Sequence, residues 1–554
     1  MAVVTFSKNQ FEKDFGKMDN SMENKIAMFG TPLDEMNSDE LRIEVNPNRP
    51  DLLSYQGFRR ALKAFIGKGK GLKEYKLNKP EKNYSVTIDS SVKDVRPYTA
   101  CAIVRGLKFN DEKIKELIET QEKLHLTLGR KRKKAAIGIY PLEKIKLPIT
   151  FKAMEPDKIK FVPLESEKEL SGLEILQKNP TGKEYAHLLA GKAKFPVFLD
   201  AENKVLSMPP IINSQATGKV TEETKDVFVE CSGEDFDILK KCLNIIVTSL
   251  AEMGGEIYQM TLKFGTMKKE TTPNLQPEKL KLSLENVNKT LGLDLKEKQL
   301  KEFVERMGHN YNSKDSSVEV PAWRTDILHE IDIIEDIAIA YGYENFVPEI
   351  PKISTVGEKD IEEVIKRKIS EIFSGLGIIE VSNYHLTIKN DQVEKMGLHK
   401  DSEVLEVVGS KTEYTALREN LSHVMLKNLS ENVDSEYPQQ IFETGRVFSE
   451  SSGNIQEKEM LACAISSGNF TRIKQALEYL FRMLDLEKEL NFKETEETPA
   501  HFIEGRTADI IMGEKVIGQV GEIHPKTLMS WKIKMPVALF EIGLKKVLEK
   551  ISNY

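Results

Sequence analysis

Residues 321–348 read PAWRTDILHEIDIIEDIAIAYGYENFVP and thread Asp326, Glu330, Asp332, Glu335 and Asp336 through a run of isoleucines. No Gly or Pro lies between Ile327 and Tyr341, so the spacing predicts a helix there. Residues three and four apart share a helix face, which puts Asp332, Glu335 and Asp336 on one acidic stripe. Ile331, Ile334 and Ala338 flank it on one side, and Ile333, Ile337 and Ala340 on the other. Apolar residues then cover most of the circumference, and such a helix belongs inside a fold. Glu330 points away from the stripe. Carboxylates crowded in that setting repel one another, so the stripe needs a counter-ion.

This stretch has a partner in the same chain. VTFSKNQFEKDFG (residues 4–16) and KLSLENVNKTLG (residues 281–292) both run strand, serine, helix, glycine, with Ser7 and Ser283 as caps and Gly292 as a stop. Ser7 and Gln10 have the spacing of a capping box. RIEVNPNRPDLLSYQGFRRALKAFIG (42–67) and SVEVPAWRTDILHEIDIIEDIAIAYG (317–342) align without gaps, and Arg49, Asp51 and Gly67 fall on Arg324, Asp326 and Gly342. In both copies an aspartate stands two residues after an arginine and just before a helix, where it can accept backbone N–H bonds. Gly57, Arg60 and Ala61 occupy the positions of Asp332, Glu335 and Asp336, so a shared fold cannot explain the acidic cluster. Two counter-ions suit it: a Lys or Arg from a neighbouring subunit, or a hard divalent cation such as Mg²⁺, which takes oxygen ligands and keeps several waters.

A length of 554 residues corresponds to roughly three to four domains. The net charge of −7 excludes a general polyanion binder, so any nucleic-acid contact must be local. GRKRKK (129–134) is either a basic patch or a solvated loop, and GKGKGLKEYK (67–76) reads as a solvated segment. No apolar run approaches the roughly 18 residues of a membrane span, and the N-terminus lacks a signal-peptide pattern. Cys101, Cys231, Cys242 and Cys463 have no CxxC spacing, a reducing, cytoplasmic pattern without a zinc site. The chain has no GxxxxGK[ST] loop and no GxSxG, and its histidines never pair at HxH or HxxxH spacing. His309, His399 and His423 read as ordinary surface or core residues.

Composition shifts divide the chain into an N-terminal repeat module over 1–75, a mixed α/β module over 85–265, the second repeat over 272–348 and a final module over 355–554. YKLNKPEKNYS, TTPNLQPEK and PEIPKISTVGEKD are the linkers. The fold class is α+β, multidomain. The last module opens with an amphipathic helix whose Ile361, Val364, Ile365, Ile369, Ile372 and Phe373 share one side. That stripe has no assured cover within the chain and suits a subunit interface. QQIFETGRVF, TADIIM and KVIGQVGEI read as strands, with Gly513-Glu514 a tight hairpin turn. The expected arrangement is an antiparallel sheet with helices on one face, in which Glu443 and Arg446 pair as neighbours.

NPNRPDLLSYQGFRRAL, PPIINSQATGKVTEETKDVFVE, PAWRTDILHEIDIIEDIAIAYGYENF and GRTADIIM…VIGQVGEIHP occur in that order. Through them the chain resembles, nearly end to end, the β subunit of phenylalanine–tRNA ligase of the archaeal and eukaryotic cytosolic type. The resemblance implies two winged-helix-like, DNA-binding-like repeat modules, an editing module and a degenerate class II synthetase module. It also implies a cytoplasmic α₂β₂ enzyme, without membrane contact, that charges tRNA(Phe) with L-phenylalanine. ATP and L-phenylalanine are then bound on α, and tRNA is contacted in part by β. By the same resemblance Asp326, Asp332, Glu335 and Asp336 are ligands of a Mg²⁺ ion.

Asn213 and Glu230 are implied editing residues, with Ser207 beside them. Reading a phenol needs a buried acceptor such as Glu230, while the Asn213 amide can orient the ester or its attacking water. The segment PVALFEIGLKKV lacks the Gly-Arg arrangement of a class II ATP site, so no residue here is expected to catalyse aminoacylation. Two departures from the family pattern stand out: Tyr140-Pro141 replaces His-Asp, and Glu504-Gly505-Arg506 replaces PGR. A free-standing RNA-binding module and an autonomous aminoacyl-tRNA deacylase are the competing functions.

Overall fold

The serine-capped segments of the two repeats fold alike in the computed structural model, which describes residues 2–265, 268–351 and 355–552. In the first, Glu40–Val45 lies between Ala2–Ser7 and Leu33–Met36 in a three-stranded antiparallel sheet. In the second, Ser317–Val320 lies in the same way between Glu278–Lys281 and Asn310–Asn312. Ser7 Oγ accepts from the Gln10 N–H and Ser283 Oγ from the Asn286 N–H. Gly292 ends its helix in the left-handed region that glycine adopts without strain. The sequence repeat is therefore a structural repeat.

The helix of the opening stretch spans Glu330–Tyr341 and begins later than the spacing predicts. The reason is local. Asp332 accepts from the Leu328 and His329 N–H groups at 2.8 Å each, which holds those residues as a cap instead of a first turn. Ile333, Ile334 and Ile337 enter the core of the module, whereas Ile331 is exposed.

Between the repeats, one eleven-stranded sheet runs in the order Ile212–Asn213, Val205–Met208, Phe195–Leu199, Ile149–Met154, Ser85–Ile88, Glu256–Phe264, Tyr98–Arg105, Val227–Gly233 and Ala135–Pro141. Leu77–Asn78 and Lys268–Thr272 join at Glu256–Phe264. Part of the expected linker YKLNKPEKNYS is thus a strand, paired in parallel with that neighbour. Strand alternation sorts Val227, Val229 and Cys231 onto one core with Leu239, Leu243 and Ile246 of the helix Phe236–Glu252. Phe228 joins Tyr140, Phe151 and Phe198 in a second core.

Contacts divide the chain into units 1–350 and 351–554. The second unit is a seven-stranded sheet in the order Ile379–Glu380, Gln439–Ser451, Asn454–Ser466, Val537–Gly543, Lys515–Ile523, Phe502–Met512 and Leu490–Glu494. Its pairs are antiparallel except that of Ile379–Glu380 with Gln439–Ser451. Met512 opposes Lys515, so Gly513-Glu514 is the two-residue turn, with Gly513 at φ +62°.

Three expectations for this unit are corrected. Helices cover both faces of the sheet, not one. Phe442, Leu461 and Cys463 pack under Ile361–Gly375 and Phe470–Met483, while Ala462, Ala464 and Leu539 pack with Ser422–Glu431. Leu461 to Ile465 are all buried, the mark of a strand covered on both sides. The stripe expected at a subunit interface is covered within the chain along most of its length, since Ile365, Ile369 and Phe373 are buried in that first core and Ile372 packs against it, whereas Ile361 at its start is exposed. Glu443 and Arg446 do not pair, because an odd spacing on a strand puts them on opposite faces. Glu443 meets Arg418 at 2.6 Å, and Arg446 meets Glu457 and Glu459 across the strand.

The four cysteines are free and buried. Among the described residues no helix is long and apolar enough to cross a membrane. Residues 352–354 of the expected linker PEIPKISTVGEKD lie outside the described residues.

Candidate functional site

Ala135–Pro141 and Ile212–Asn213 are opposite ends of the eleven-stranded order. Yet Tyr140 Oη donates to Ser207 Oγ at 2.8 Å and lies 3.3 Å from Asn213 Oδ1. The sheet therefore curls until its ends meet, as accumulated strand twist allows. Arg132 closes the same seam by donating to the Ile211 carbonyl at 2.8 Å. The neighbouring strand Val227–Gly233 sets Glu230 opposite Gly138, and Glu230 Oε1 stands 3.2 Å from Tyr140 Oη. Gly138 has to be bare: a Cβ there would lie 2.6 Å from Glu230 Oε1 and collide with Tyr140 Oη. Ser207, Asn213 and Glu230, separate in sequence, thus converge on one buried point, and Tyr140 is at its centre.

Glu230 is 2% exposed. Burial pushes its carboxyl up to about 8, with Arg96 opposing, so it keeps its proton near neutral pH. Its Oε2 is buried without a hydrogen-bond partner, and Glu230 and Asn213 line a cavity of ≈ 180 Å³. Burial and the neighbouring Glu230 hold the Tyr140 phenol well above its ordinary value. Burial also brings the Arg96 guanidinium down to about 10, and its Nε donates to Ser232 Oγ at 3.1 Å.

The GRKRKK segment contributes a wall residue. Arg130, Lys131 and Arg132 are consecutively left-handed (φ 47°, 52° and 64°), a strained conformation for non-glycine residues. That turn aims Arg132 inward, where it donates to Glu122 at 3.0 Å and stacks 4.2 Å above the Tyr185 ring. Sequence spacing offers no signal for Arg96 or Arg132 at this site, nor for His125, which lines the same cavity. The departure at Tyr140-Pro141 does mark the spot. A neutral acid, an amide and a hydroxyl around one point can bind a neutral hydroxyl group and have little to offer a cation.

The acidic helix has a different neighbourhood. Arg324 grips Asp326 with both arms of its guanidinium (2.9 and 2.8 Å) and reaches Asp336 Oδ2 at 2.9 Å. His309, expected to be ordinary, is fully buried with Nε2 2.8 Å from the same Asp336 oxygen. Burial alone would raise the Asp336 carboxyl, but Arg324 and His309 hold it far below the usual range. Asp332 caps the helix. Glu330 points elsewhere and accepts from the Ser283 N–H and the Asn286 amide at 2.6 Å each. Asp51 and Asp326 therefore serve arginines and not backbone N–H groups, Arg49 gripping Asp51 at 2.9 Å twice over.

The cation donated to the cluster is thus an arginine of the chain itself. Among the described residues no group of three His, Cys, Asp or Glu side chains is arranged to hold a metal ion. Glu335 is exposed, and its carboxyl is raised by its partial burial and by Asp336, Asp332 and Asp326.

The two Arg–Asp forks border a cavity of ≈ 390 Å³ whose lining includes Arg49, Asp51, Arg60, Lys68, Lys73 and Arg324. Arg60 stacks 4.1 Å above Trp323 there.

Residues 280–343 match the family model described as a tRNA synthetase B5 domain, and residues 347–544 match the phenylalanyl tRNA synthetase beta chain CLM domain. The phenylalanine–tRNA ligase beta subunit of Thermococcus sibiricus is 39% identical over 506 residues, 90% of this chain and 89% of its own length. That of Archaeoglobus fulgidus is 37% identical over 98% of both chains. An N-terminal fragment of the phenylalanyl-tRNA synthetase beta-subunit from Pyrococcus horikoshii, solved by crystallography, is 38% identical. It covers 61% of this chain and 99% of its own, with a TM-score of 0.59.

The buried carboxyl at Glu230 has a pH signature. Its folded value lies above the ordinary 4.5, so the folded state binds the extra proton. Stability is fully present at low pH and falls between about 4.5 and about 8, by about 1.4 kcal/mol per unit. Glu230→Gln keeps the shape without the titration. Its melting temperature relative to wild type is expected to climb steadily from pH 5 to pH 8; parallel curves across that range would mean that Glu230 ionises normally.

Proposed function

The chain belongs to the phenylalanine–tRNA ligase beta-subunit family, and from that premise we propose how it serves the charging of tRNA(Phe) with L-phenylalanine. It acts as the β subunit of the ligase. In the proposal the α subunit binds ATP and L-phenylalanine and forms the aminoacyl-adenylate, within a cytoplasmic α₂β₂ assembly. The β chain supplies assembly, part of the tRNA surface and an editing site in residues 85–265. Residues 1–75 and 272–348 are its winged-helix-like modules, and residues 355–554 a class II synthetase fold without chemistry. In that last module the Arg418 guanidinium is already engaged by Glu443 and by the Asn383 and Arg446 carbonyls, which disfavours a phosphate role. The cationic cavity around Arg49, Arg60 and Arg324 is the proposed tRNA-facing patch.

One observation carries the editing reading: Ser207, Asn213 and Glu230 meet at one buried point, with a second Glu230 oxygen unpartnered beside a cavity. A phenylalanine pocket rejects an added hydroxyl poorly, by about a hundredfold, so accuracy requires a second site that selects the hydroxyl. A buried neutral acid does so, because a ring without the hydroxyl leaves it unpaired. A Mg²⁺ ion is the remaining part of the proposal. It would be hydrated and held chiefly by Glu335, with Asp332, Asp326 and Asp336 beside it, and it would neutralise what Arg324 leaves.

Four outcomes are expected. Purified β chain alone gives no phenylalanine-dependent ATP–pyrophosphate exchange, and mixing with its α partner restores it; exchange by β alone would place the adenylate site here. Asn213→Ala and Glu230→Ala each slow hydrolysis of tyrosyl-tRNA(Phe) by the assembled enzyme at least tenfold, and unchanged rates in both would move editing elsewhere. Asp332→Ala combined with Glu335→Ala weakens α–β assembly more than phenylalanine activation. Crystals soaked in manganese would show anomalous density beside Glu335, and a blank map there would leave Arg324 as the cluster's counter-ion.

A further inference from the structure

Tyr140 presents its own phenol to the groups that the proposed editing site has for reading one. Its Oη lies 2.8 Å from Ser207 Oγ, 3.2 Å from Glu230 Oε1 and 3.3 Å from Asn213 Oδ1. The side chain is wholly buried, its ring stacked 5.7 Å from that of Phe228, and its hydroxyl stands over Gly138 where the sheet has no side chain. A buried tyrosine hydroxyl needs one partner. Three polar partners from three strands are more than that need explains.

The neighbouring cavity is lined by Asn213 and Glu230 and by neither Tyr140 nor Ser207. It stops at the two residues whose other side holds the phenol. At ≈ 180 Å³ it is smaller than the roughly 300 Å³ at which ordinary ligand pockets begin. One oxygen of Glu230 is taken by Tyr140 while the other has no partner, so the carboxyl faces both the internal phenol and the cavity.

We propose that Tyr140 is an internal stand-in for a substrate phenol: it closes the deep end of the pocket, so that of the three polar groups a bound tyrosyl meets only Asn213 and the unpartnered Glu230 oxygen, and its hydroxyl reaches Ser207 and the other Glu230 oxygen only when the Tyr140 side chain gives way. The proposal rests on the editing reading for the identity of the substrate, and it makes Tyr140 the residue that sets the site's rate and hydroxyl selectivity.

The test compares wild type, Tyr140→Phe and Tyr140→Ala in the assembled α–β enzyme, with melting curves to show that each is folded. Tyrosyl-tRNA(Phe) hydrolysis is expected to rise several-fold in Tyr140→Phe, which frees the three polar groups but keeps the ring, and at least tenfold in Tyr140→Ala. Binding of the non-hydrolysable probes L-tyrosinol and L-phenylalaninol is measured in parallel by calorimetry. Tyr140→Ala should bind tyrosinol at least tenfold more tightly than phenylalaninol, and wild type should bind both weakly. Equal binding of the two probes would mean a generic hole left by a removed ring, and it would overturn the proposal. So would hydrolysis that falls in both variants, which would make Tyr140 a positioning residue. Hydroxyl-selective binding without hydrolysis in any variant would uphold the internal phenol and overturn only the editing reading. Should Tyr140→Ala fail to fold, Tyr140→Phe decides: where wild type hydrolyses the substrate, a rate at or below it counts against the proposal, and where it does not, equal binding of the two probes by Tyr140→Phe does so.

Discussion

A charge does not stay buried without a partner, and in the second repeat that constraint rests on Arg324. Its guanidinium holds Asp326 of its own loop and Asp336 of the following helix, and His309 shares the second carboxylate. Removing the arginine would leave Asp326 unpaired and Asp336 with His309 alone, a loss on the order of 3–5 kcal/mol for a broken buried pair. The helix could then not lay Ile333, Ile334 and Ile337 into the core at its present depth. The first repeat has the same fork between Arg49 and Asp51 but carries Ala61 in place of Asp336, so its arginine serves one acid.

Glu230 meets the constraint in another way. No guanidinium lies within ion-pair distance of it among the described contacts, and Arg96, the nearest cationic influence, donates to Ser232. The carboxyl keeps its proton instead, which turns a buried acid into a neutral group that can both donate and accept. The same burial that disfavours charge at this point therefore defines its chemistry. A hydroxyl can complete the arrangement, and Tyr140 supplies one from within the chain.

The second unit applies pairing again with different parts. Glu443 sits against Arg418, and Glu541 accepts from the Leu421 and Ser422 N–H groups at 2.8 and 2.9 Å. These bonds tie the loop before Ser422–Glu431 to the middle of the sheet. They also give buried polar groups their partners, Arg418 and Glu443 both lying inside the unit. With helices on both faces, the central strands can be apolar at every position, as Leu461 to Ile465 are.

Much of this architecture is legible in the sequence because it is local. Caps, glycine stops, the gap-free match of residues 42–67 with 317–342, and the Gly513-Glu514 hairpin all depend on residues within a turn or two of each other. So does the acidic stripe, whose need for a cation follows from helix spacing alone. The identity of that cation does not. Arg324 stands in the quoted stretch itself, yet only the fold of the loop brings its guanidinium onto Asp336 and His309 beside it. Likewise Tyr140, Ser207, Asn213 and Glu230 lie on four strands, and nothing in their spacing says that the two ends of an eleven-stranded sheet will meet. That meeting depends on twist accumulated over the whole sheet, a sum of small rotations that no single segment encodes. The sequence by itself determined which segments become strands and helices and which residues carry charge. Tertiary structure alone decided which charges are paired, which proton is retained, and which side chain fills the space beside it.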